Sequence, residues 1–228
     1  MKLNILCLYY DIMNLYGEAG NIKVLEYHLK ELGIDYNIDK LSNFDIIDFK
    51  KYDLVIIGEG SEESRDICLS HLLKYRNDIK KAIDKGVFFL VTGNALGMFG
   101  KSLYGKDALN IFDFDVTRSK ERISQEIILN NDFGDDIYGF LNHEDIFKVP
   151  SNTLFESEGI KYNNFFGTMV LGPILARNPD FLNYFLKNLI LHKNKDFEFN
   201  EINLKLNKIA YNEFIEFKKT KKFNSNWS

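Results

Sequence analysis

The spacing of apolar residues alternates between strand-like and helix-like over the first half of the chain. Short apolar runs predict buried strands at Leu3 to Tyr9, Leu54 to Gly58 and Val87 to Thr92, and Tyr36 to Leu41 has a weaker strand pattern. Stretches with apolar residues three and four positions apart predict helices at Asn21 to Leu32, which Gly33 ends, and at Glu63 to Lys85. This alternation predicts a series of β-α-β units.

A β-α-β series favours one architecture. Strands joined by helices run parallel, and the helices cover both faces of the sheet. We therefore predict an α/β fold with three layers, in which a mainly parallel central sheet lies between helices, as in flavodoxin-like proteins. Right-handed crossovers place the loops after the strands at one edge of the sheet, where such proteins keep their ligand sites.

The second half of the chain has a weaker pattern. Ile123 to Leu129 is strand-like, and Asn178 to Lys193 reads as a closing helix. Glu201 to Lys219 has apolar residues at helical spacing and precedes Lys221 and Lys222. A helix packed on the domain is favoured, with a membrane- or partner-docking element as the alternative. We predict a domain over residues 1–192 and a helical extension over 193–228 that packs on it and ends in a frayed basic tail.

Composition excludes several function classes. The 228 residues are 45% hydrophobic and 27% charged with a net charge of -4, so the basic excess of a nucleic-acid binder is missing. No apolar run reaches the ~18 residues of a membrane span, and the first residues lack a signal-peptide pattern, so we expect a cytoplasmic protein without a span. Cys7 and Cys68 are too few for a disulfide framework or a multi-cysteine zinc site. We expect no metal and no cofactor.

Several segments carry motifs that a generic α/β core does not require. In chain order they read DIMNLYGEAGN (11–21), LVIIGEGSEESRD (54–66), GNALGMFG (93–100), GFLNH (139–143) and FGTMVLGP (166–173). Their sequences and order resemble the cobyric-acid-synthase-like class I glutamine amidotransferases, and within that family the glutaminase subunit of lipid II isoglutaminyl synthase. The resemblance spans roughly residues 5 to 190 and implies the class I amidotransferase fold.

The resemblance also implies where the catalytic residues would stand. The family hydrolyses glutamine with a cysteine thiolate at a tight strand-to-helix turn and with a histidine base. The corresponding positions are Gly93 and Leu171, which supply neither a nucleophile nor a base. A one-residue shift of the alignment would offer Thr92 or Asn94 at the turn, and neither is a cysteine. Because glycine accepts a positive φ, the turn can keep its shape without the catalytic dyad.

The resemblance assigns further residues to the former glutamine pocket. Gly58 and Gly60 would shape its rim and oxyanion loop, with simple turn formation as an equal alternative, and Asn94 follows the nucleophile position. Arg122 approximately matches an arginine that holds substrate glutamine, and an ordinary surface arginine is the alternative. A nucleotide phosphate site is disfavoured, because the loop lacks the G-x-G-x-x-G spacing and Glu59 would repel an anion.

For the remaining cysteine and histidine candidates, structural roles are favoured over catalytic ones. Cys68 and His71 lie three residues apart on a predicted helix among core residues, so a structural cysteine is favoured over a reactive one. His143 belongs to a segment that the resemblance places in a loop beside the pocket, where a structural hydrogen bond is favoured over catalysis. His28 and His192 have charged neighbours and are expected at the surface.

The predicted function is that of a pseudoenzyme. In the family that the chain resembles, the glutaminase subunit supplies ammonia to an ATP-using, Mur-ligase-like subunit that amidates a peptidoglycan precursor, so a copy without the dyad would act as a structural or regulatory subunit. The alternatives are an active amidotransferase or hydrolase with an unconventional dyad, and a sensor that binds a small amino acid. The predicted interaction surface comprises Asn14, Tyr16, Gly17, Asn21, Asn142 and His143.

Overall fold

The computed structural model describes residues 1–148 and 152–224. Within these ranges the strands are β1 (Lys2–Leu8), β2 (Asp35–Leu41), β3 (Leu54–Ile57), β4 (Phe88–Thr92), β5 (Ser102–Leu103), β6 (Lys106–Asp107), β7 (Asp115–Leu129), β8 (Ile137–Ile146), β9 (Ile160–Tyr162) and β10 (Phe165–Thr168). The helices are α1 (Ala19–Glu31), α2 (Glu62–Leu72), α3 (Arg76–Asp84), α4 (Ile174–Arg177), α5 (Pro179–Lys193) and α6 (Lys205–Asn224). Short 3-10 segments lie at Leu15–Gly17, Phe49–Lys51, Leu73–Tyr75 and Gly93–Phe99.

The central sheet has the strand order β2-β1-β3-β4-β10-β9. β1 pairs in parallel with β2 and β3, β3 pairs in parallel with β4, and β4 pairs in parallel with β10. β9 is the exception, since it runs antiparallel to β10 at the edge. The predicted α/β fold with a mainly parallel sheet is therefore confirmed. The carboxyl ends of β1, β3 and β4 meet at one edge, so the loops that follow them are neighbours.

The core lies on both faces of the central strands. Every residue of β3, β4 and β10 is buried, which explains why these strands read as nearly continuous apolar runs. Phe166 on β10 illustrates the packing, because its ring contacts those of Phe88, Phe181 and Phe185 at centroid distances of 6.0, 6.1 and 5.0 Å. These contacts join the centre of the sheet to α5.

A second sheet, in the order β6-β5-β7-β8, extends from the domain. Its main unit is the antiparallel pair of β7 and β8, with a register shift between Arg118 and Ile123. Most residues of β7 are exposed, so the strand has little apolar alternation to reveal it. The sequence accordingly predicted only its second half, Ile123 to Leu129.

The single helix predicted from Glu63 to Lys85 is wrong. The structure has α2 and α3 instead, separated by the 3-10 turn Leu73–Tyr75. Tyr75 packs edge-on against His71 and Phe49, and its hydroxyl accepts a hydrogen bond from the Ile47 backbone N–H (3.4 Å). These tertiary contacts fix Tyr75 in a non-helical conformation and interrupt a stretch that local periodicity would have continued.

Two further local predictions are wrong. The GFLNH segment is not a loop but part of β8, because its backbone pairs with β7 from Ile123 to Ile127. His28 is not a surface group: it is 1% exposed on the inner side of α1, and its Nδ1 lies 3.0 Å from Glu31 Oε2. Glu31, one of its charged sequence neighbours, contacts the ring, and spacing alone did not indicate that His28 is buried. His192 is exposed, as expected.

α6 lies against the domain through polar and aromatic contacts. Lys208 forms an ion pair with Asp180 at the start of α5 (2.6 Å), and the Tyr211 hydroxyl donates to the Asp136 carbonyl (2.6 Å). The Phe214 ring packs on Tyr138 at a centroid distance of 4.0 Å. The division at residue 192 stays a prediction. Of the predicted basic tail, the side chains of Lys219, Lys221 and Lys222 and residues 225–228 lie outside the described part.

We expect Phe166→Ala to lower the free energy of unfolding by about 3–5 kcal/mol, because it removes a ring from the fully packed centre of the sheet. Phe44→Ala is the matched control, since Phe44 is 94% exposed and its loss should change stability by less than about 0.5 kcal/mol. Urea unfolding followed by circular dichroism measures both. Equal effects of the two substitutions would contradict the packing described here.

Candidate functional site

Loops from distant parts of the chain converge beyond the carboxyl end of β4. The Leu15 backbone N–H donates to the carbonyl of Glu59 (3.0 Å), which joins the loop after β1 to the loop after β3. The Asn142 side-chain amide on β8 donates to the Tyr16 hydroxyl. The DIMNLYGEAGN and GEGSEE loops therefore lie together, as expected for loops that follow parallel strands, and GFLNH reaches the same edge as part of β8.

Gly93 forms the turn immediately after β4. Its φ is +64°, a left-handed conformation that favours glycine. A Cβ built on residue 93 would lie 1.8 Å from Glu59 Oε2 and 2.6 Å from Leu171 Cδ2. The turn therefore has no room for any side chain at residue 93 unless Glu59 and Leu171 move.

Leu171 is fixed beside this turn by the second sheet. Its backbone N–H donates to the carbonyl of Phe140 (2.8 Å), and the side chain is 1% exposed. The structure thus brings Gly93 and Leu171 into proximity, although they are far apart in sequence. These are the two positions at which the family resemblance implied the nucleophile and the base.

Glu59 is the residue at this site that sequence reasoning missed. Its carboxylate accepts a hydrogen bond from the Asn94 backbone N–H, the first amide after the turn, and the residue is 3% exposed. Burial raises the pKa of Glu59 to about 8; the Asn94 N–H opposes this effect, and the charge of Glu18 adds to it. The sequence did contain a signal, an acidic residue between two glycines directly after a buried strand. From the sequence alone, Glu59 served only as an argument against a phosphate site.

Asn94 clamps the loop after β3 onto the turn. Its Nδ2 donates to the Gly60 carbonyl (2.7 Å), and its Oδ1 accepts from the Gly60 N–H (3.3 Å). A Cβ at Gly58 would lie 2.7 Å from the Met13 carbonyl oxygen, and one at Gly60 would lie 2.3 Å from Met13 Sδ. Both glycines are buried and permit close approach of the β1 loop. Their predicted role in a glutamine pocket stays a prediction.

Glu18 is a second buried acid at the same edge. Its Oε2 accepts from the Thr92 hydroxyl (2.5 Å) and from the Asn21 side-chain amide (3.1 Å), and burial raises its pKa to about 7. Asn21 is completely buried and also accepts from the Leu175 N–H (2.9 Å). The prediction that Asn21 belongs to an exposed interaction surface is therefore wrong, because its amide joins α1 to α4 inside the protein.

An ion pair lies beneath the turn. Arg65 on α2 and Asp145 on β8 are joined at 2.6 Å with both side chains almost fully buried. The Tyr104 hydroxyl donates to the other oxygen of Asp145, and the Arg65 guanidinium lies over the Tyr104 ring at 5.0 Å. A Cβ at Gly97 would lie only 3.1 Å from Asp145 Oδ2. The pair thus fixes α2 and β8 against the Gly93–Phe99 segment.

The other predicted site residues have partners of their own. Arg122 lies in the bulge of β7, where it pairs with Glu62 (2.5 Å) and Glu144 (3.4 Å). These two acids and the Asn142 side chain occupy its donors, so the guanidinium is neutralised at the surface. His143 is partly exposed, and its Nδ1 donates to the Asp145 carbonyl (3.0 Å), a structural hydrogen bond.

Cys68 and His71 form a separate, buried group. Cys68 is completely buried, which raises the pKa of its thiol to about 12. The Tyr9 hydroxyl lies 2.9 Å from His71 Nδ1 and 3.4 Å from the Cys68 carbonyl oxygen. Both residues therefore serve packing beneath the β1 loop. Across residues 1–148 and 152–224, no cluster of His, Cys, Asp or Glu is arranged to hold a metal ion, and no helix of that part could cross a membrane.

Comparison with known proteins identifies the scaffold. Residues 4–179 match the CobB/CobQ-like glutamine amidotransferase domain. The chain belongs to this amidotransferase family. It is 29% identical over 209 residues to the lipid II isoglutaminyl synthase (glutamine-hydrolyzing) subunit GatD of Staphylococcus aureus, an alignment that covers 84% of this chain and 86% of that one. The corresponding subunit of Streptococcus pneumoniae is 30% identical over 201 residues, covering 78% and 77% of the two chains.

A crystal structure of a glutamine amidotransferase has the same fold. It superposes with a TM-score of 0.56 at 15% identity, over 81% of this chain and 98% of that chain. The CobB/CobQ-like framework is therefore retained in this member, which has glycine at the turn after β4 and a carboxylate bound to the amide that follows.

We expect Glu59→Gln to stabilise the protein in alkaline buffer. Because the pKa of Glu59 is raised from 4.5 to about 8 on folding, the folded state binds the proton more tightly, and stability falls as pH rises through this window. Glutamine stays neutral and can still accept from Asn94. The free energy of unfolding should therefore rise by about 1–3 kcal/mol at about pH 9 and change little near pH 4.

Chemical denaturation across this pH range measures the effect. Glu63→Gln is the control, since Glu63 is an exposed acid at the start of α2 and its substitution should leave the pH profile of stability unchanged. A Glu59→Gln profile parallel to that of the unsubstituted protein would contradict a buried Glu59 carboxylate.

Proposed function

We propose that this chain is an amidotransferase-like subunit that does not hydrolyse glutamine and that supports or regulates a larger partner. The partner is an ATP-using, Mur-ligase-like enzyme that amidates a cell-wall precursor. Two features support the proposal: the chain is related to subunits of a glutamine-hydrolyzing synthase, and its own turn after β4 offers no nucleophile.

One observation carries the loss of hydrolysis. Amide hydrolysis by this scaffold needs a thiolate, a base and a free backbone N–H that can stabilise the oxyanion. Residue 93 lacks a side chain, Leu171 cannot accept a proton, and the Asn94 N–H already binds the Glu59 carboxylate. Glu59 thus occupies the place where the oxygen of an attacked carbonyl would bind. The nucleophile, the base and the free N–H are therefore all missing at the turn after β4.

An unconventional dyad has little support. Cys68 is the cysteine nearest to a histidine in the chain, and burial holds its thiol protonated far above neutral pH. A completely buried thiol also cannot reach a soluble amide. The proposal therefore rests on binding rather than on turnover.

The partner surface is best assigned to the loop after β1. Leu15 and Tyr16 are 44% and 48% exposed, an apolar pair on a tight 3-10 segment. Tyr16 has a φ of +55°, an uncommon conformation for a residue with a side chain, and Asn142 binds its hydroxyl. Asn14 fixes the base of the loop, because its Oδ1 accepts from the Ala19 N–H (2.8 Å). Because the loop is already ordered, docking a partner on this exposed pair would cost little conformational entropy.

We expect the purified protein to release no ammonia from glutamine. The variant Gly93→Cys with Leu171→His should also be inactive and destabilised, because the new Cβ would overlap Glu59. Adding Glu59→Ala should restore folding and make the thiol reactive toward iodoacetamide. Ammonia release, thermal unfolding and alkylation followed by mass spectrometry measure the three effects.

The unsubstituted protein is the control for this series, and its buried Cys68 should stay unalkylated in the folded state. Turnover of glutamine by the unsubstituted chain would overturn the proposal. Equal stability of the double and triple variants would instead show that Glu59 does not fill the space beside Gly93.

We expect Tyr16→Ala to weaken binding to the Mur-ligase-like protein of the same organism by at least roughly tenfold, as a central interface tyrosine often contributes about 2 kcal/mol. Tyr27→Ala is the matched control, since Tyr27 is a 57% exposed tyrosine on α1. Pull-down and surface plasmon resonance measure the binding. Identical affinities of the two variants would remove the β1 loop from the interface.

A further inference from the structure

The two most exposed large apolar side chains among the described residues lie in the loop after β2. Phe44 is 94% exposed and Ile46 is 89% exposed. Single apolar side chains scattered over a surface need no explanation, but exposed apolar groups close together mark an interaction site. At these exposures the rest of the described chain leaves both side chains uncovered.

The loop holds these side chains in a defined position. The Ser42 N–H donates to Asp45 Oδ2 (2.7 Å), and the Asp45 N–H donates to the Ser42 carbonyl (3.2 Å), which closes a tight turn around Phe44. Further along the segment, Ile47 is buried in the core. Because both ends of the segment are fixed, a partner that binds there has few groups left to order.

The loop after β2 borders the loop after β1. β1 and β2 are parallel neighbours, so the loops that follow them share one edge of the sheet. The Tyr9 N–H donates to the Leu41 carbonyl (2.6 Å), and the Ser42 hydroxyl donates to the Asp11 carboxylate (2.7 Å). Tyr10, between these contacts, is itself 42% exposed. The exposed apolar surface therefore continues from one loop to the other.

A protein interface of ordinary size spans both loops. The Leu15 N–H binds the loop after β3, and β3 lies two strands from β2 in the sheet, which corresponds to about 10 Å. An interface that covers about 800 Å² on each partner is roughly 30 Å across. A partner that covers Leu15 and Tyr16 therefore also covers Phe44 and Ile46.

Negative charge lies at the base of the turn. The Asp11 and Asp45 carboxylates both bind Ser42, one through its hydroxyl and the other through its N–H. Neither carboxylate forms an ion pair with the residues that the structure describes, and the Lys40 ammonium lies over the Tyr10 ring, 5.7 Å from its centre. These carboxylates disfavour an anionic membrane surface and complement a basic protein surface.

We propose that Phe44 and Ile46 insert into an apolar pocket, bordered by lysine or arginine side chains, on the same partner that the loop after β1 binds. This inference rests on the proposed function, since it adds a second contact to that interface. Phe44 is the anchor, because an aromatic side chain that passes from full exposure to burial contributes a large apolar area.

Surface plasmon resonance of the full chain with the Mur-ligase-like protein of the same organism tests the contact. Phe44→Ala should weaken binding at least roughly tenfold, as expected for an aromatic anchor, and Ile46→Ala should weaken it several-fold. Leu206→Ala is the matched control, since Leu206 is 79% exposed on α6 and its substitution should leave the affinity unchanged. Thermal unfolding of each variant should match that of the unsubstituted chain, so that a loss of binding reports the contact itself.

The two proposals fail in different ways. If the unsubstituted chain does not bind the Mur-ligase-like protein, both the partner role and this contact are overturned. If the unsubstituted chain binds and Phe44→Ala binds equally well, only the contact at the loop after β2 is overturned.

Charge variants test the basic border of the pocket. Asp11→Asn and Asp45→Asn keep an oxygen that can accept from Ser42 and remove the negative charge. Each should lower the association rate several-fold at low ionic strength, and the difference should shrink in about 0.5 M NaCl. Unchanged association rates would contradict a basic border.

Other occupants are tested on the chain alone. Sedimentation velocity detects a second copy, and flotation with phosphatidylglycerol vesicles detects a membrane. We expect a monomer that does not float. A dimer or a vesicle-bound form that Phe44→Ala abolishes would overturn the proposal.

Discussion

The hydrogen bond from the Asn94 N–H to the Glu59 carboxylate is the contact around which this edge of the sheet is organised. It requires glycine at residue 93, because a Cβ there would overlap the carboxylate. It also requires the loop after β3 to approach the turn closely, which Gly58 and Gly60 permit and the Asn94 side chain secures. The loop after β3 in turn binds the loop after β1, because the Glu59 carbonyl accepts a hydrogen bond from the Leu15 N–H. The loops after β1 and β3 are therefore joined to the turn after β4 through this contact.

The edge of the sheet around this contact also holds several ionisable side chains in the interior of the protein. Glu18, Glu59 and Asp145 are all buried near the turn, and Arg65 forms an ion pair with Asp145. Burial favours the neutral form of a carboxyl group, so the pKa values of Glu18 and Glu59 rise to about 7 and 8. These buried groups connect the loops after β1 and β3 with the turn after β4.

This arrangement separates scaffold from chemistry. The parallel sheet places the loops after β1, β3 and β4 side by side for reasons of topology alone, and family membership over residues 4–179 follows from that framework. Chemistry depends on the few side chains at the edge, which can change while the sheet persists. In this chain the loops are kept, and the Glu59 carboxylate occupies the space beside Gly93.

The sequence by itself determined β1, β3 and β4 of the central sheet, which are short apolar runs, and it did not predict β9 and β10. The family resemblance also pointed to Gly93 and Leu171, which the structure places side by side. Only the tertiary structure decided the role of Glu59, which meets Asn94 across 35 residues of chain. It likewise decided the burial of Asn21 and His28 and the strand conformation of GFLNH. Those outcomes depend on partners that are distant in sequence, and neither periodicity nor a short motif carries information about such partners.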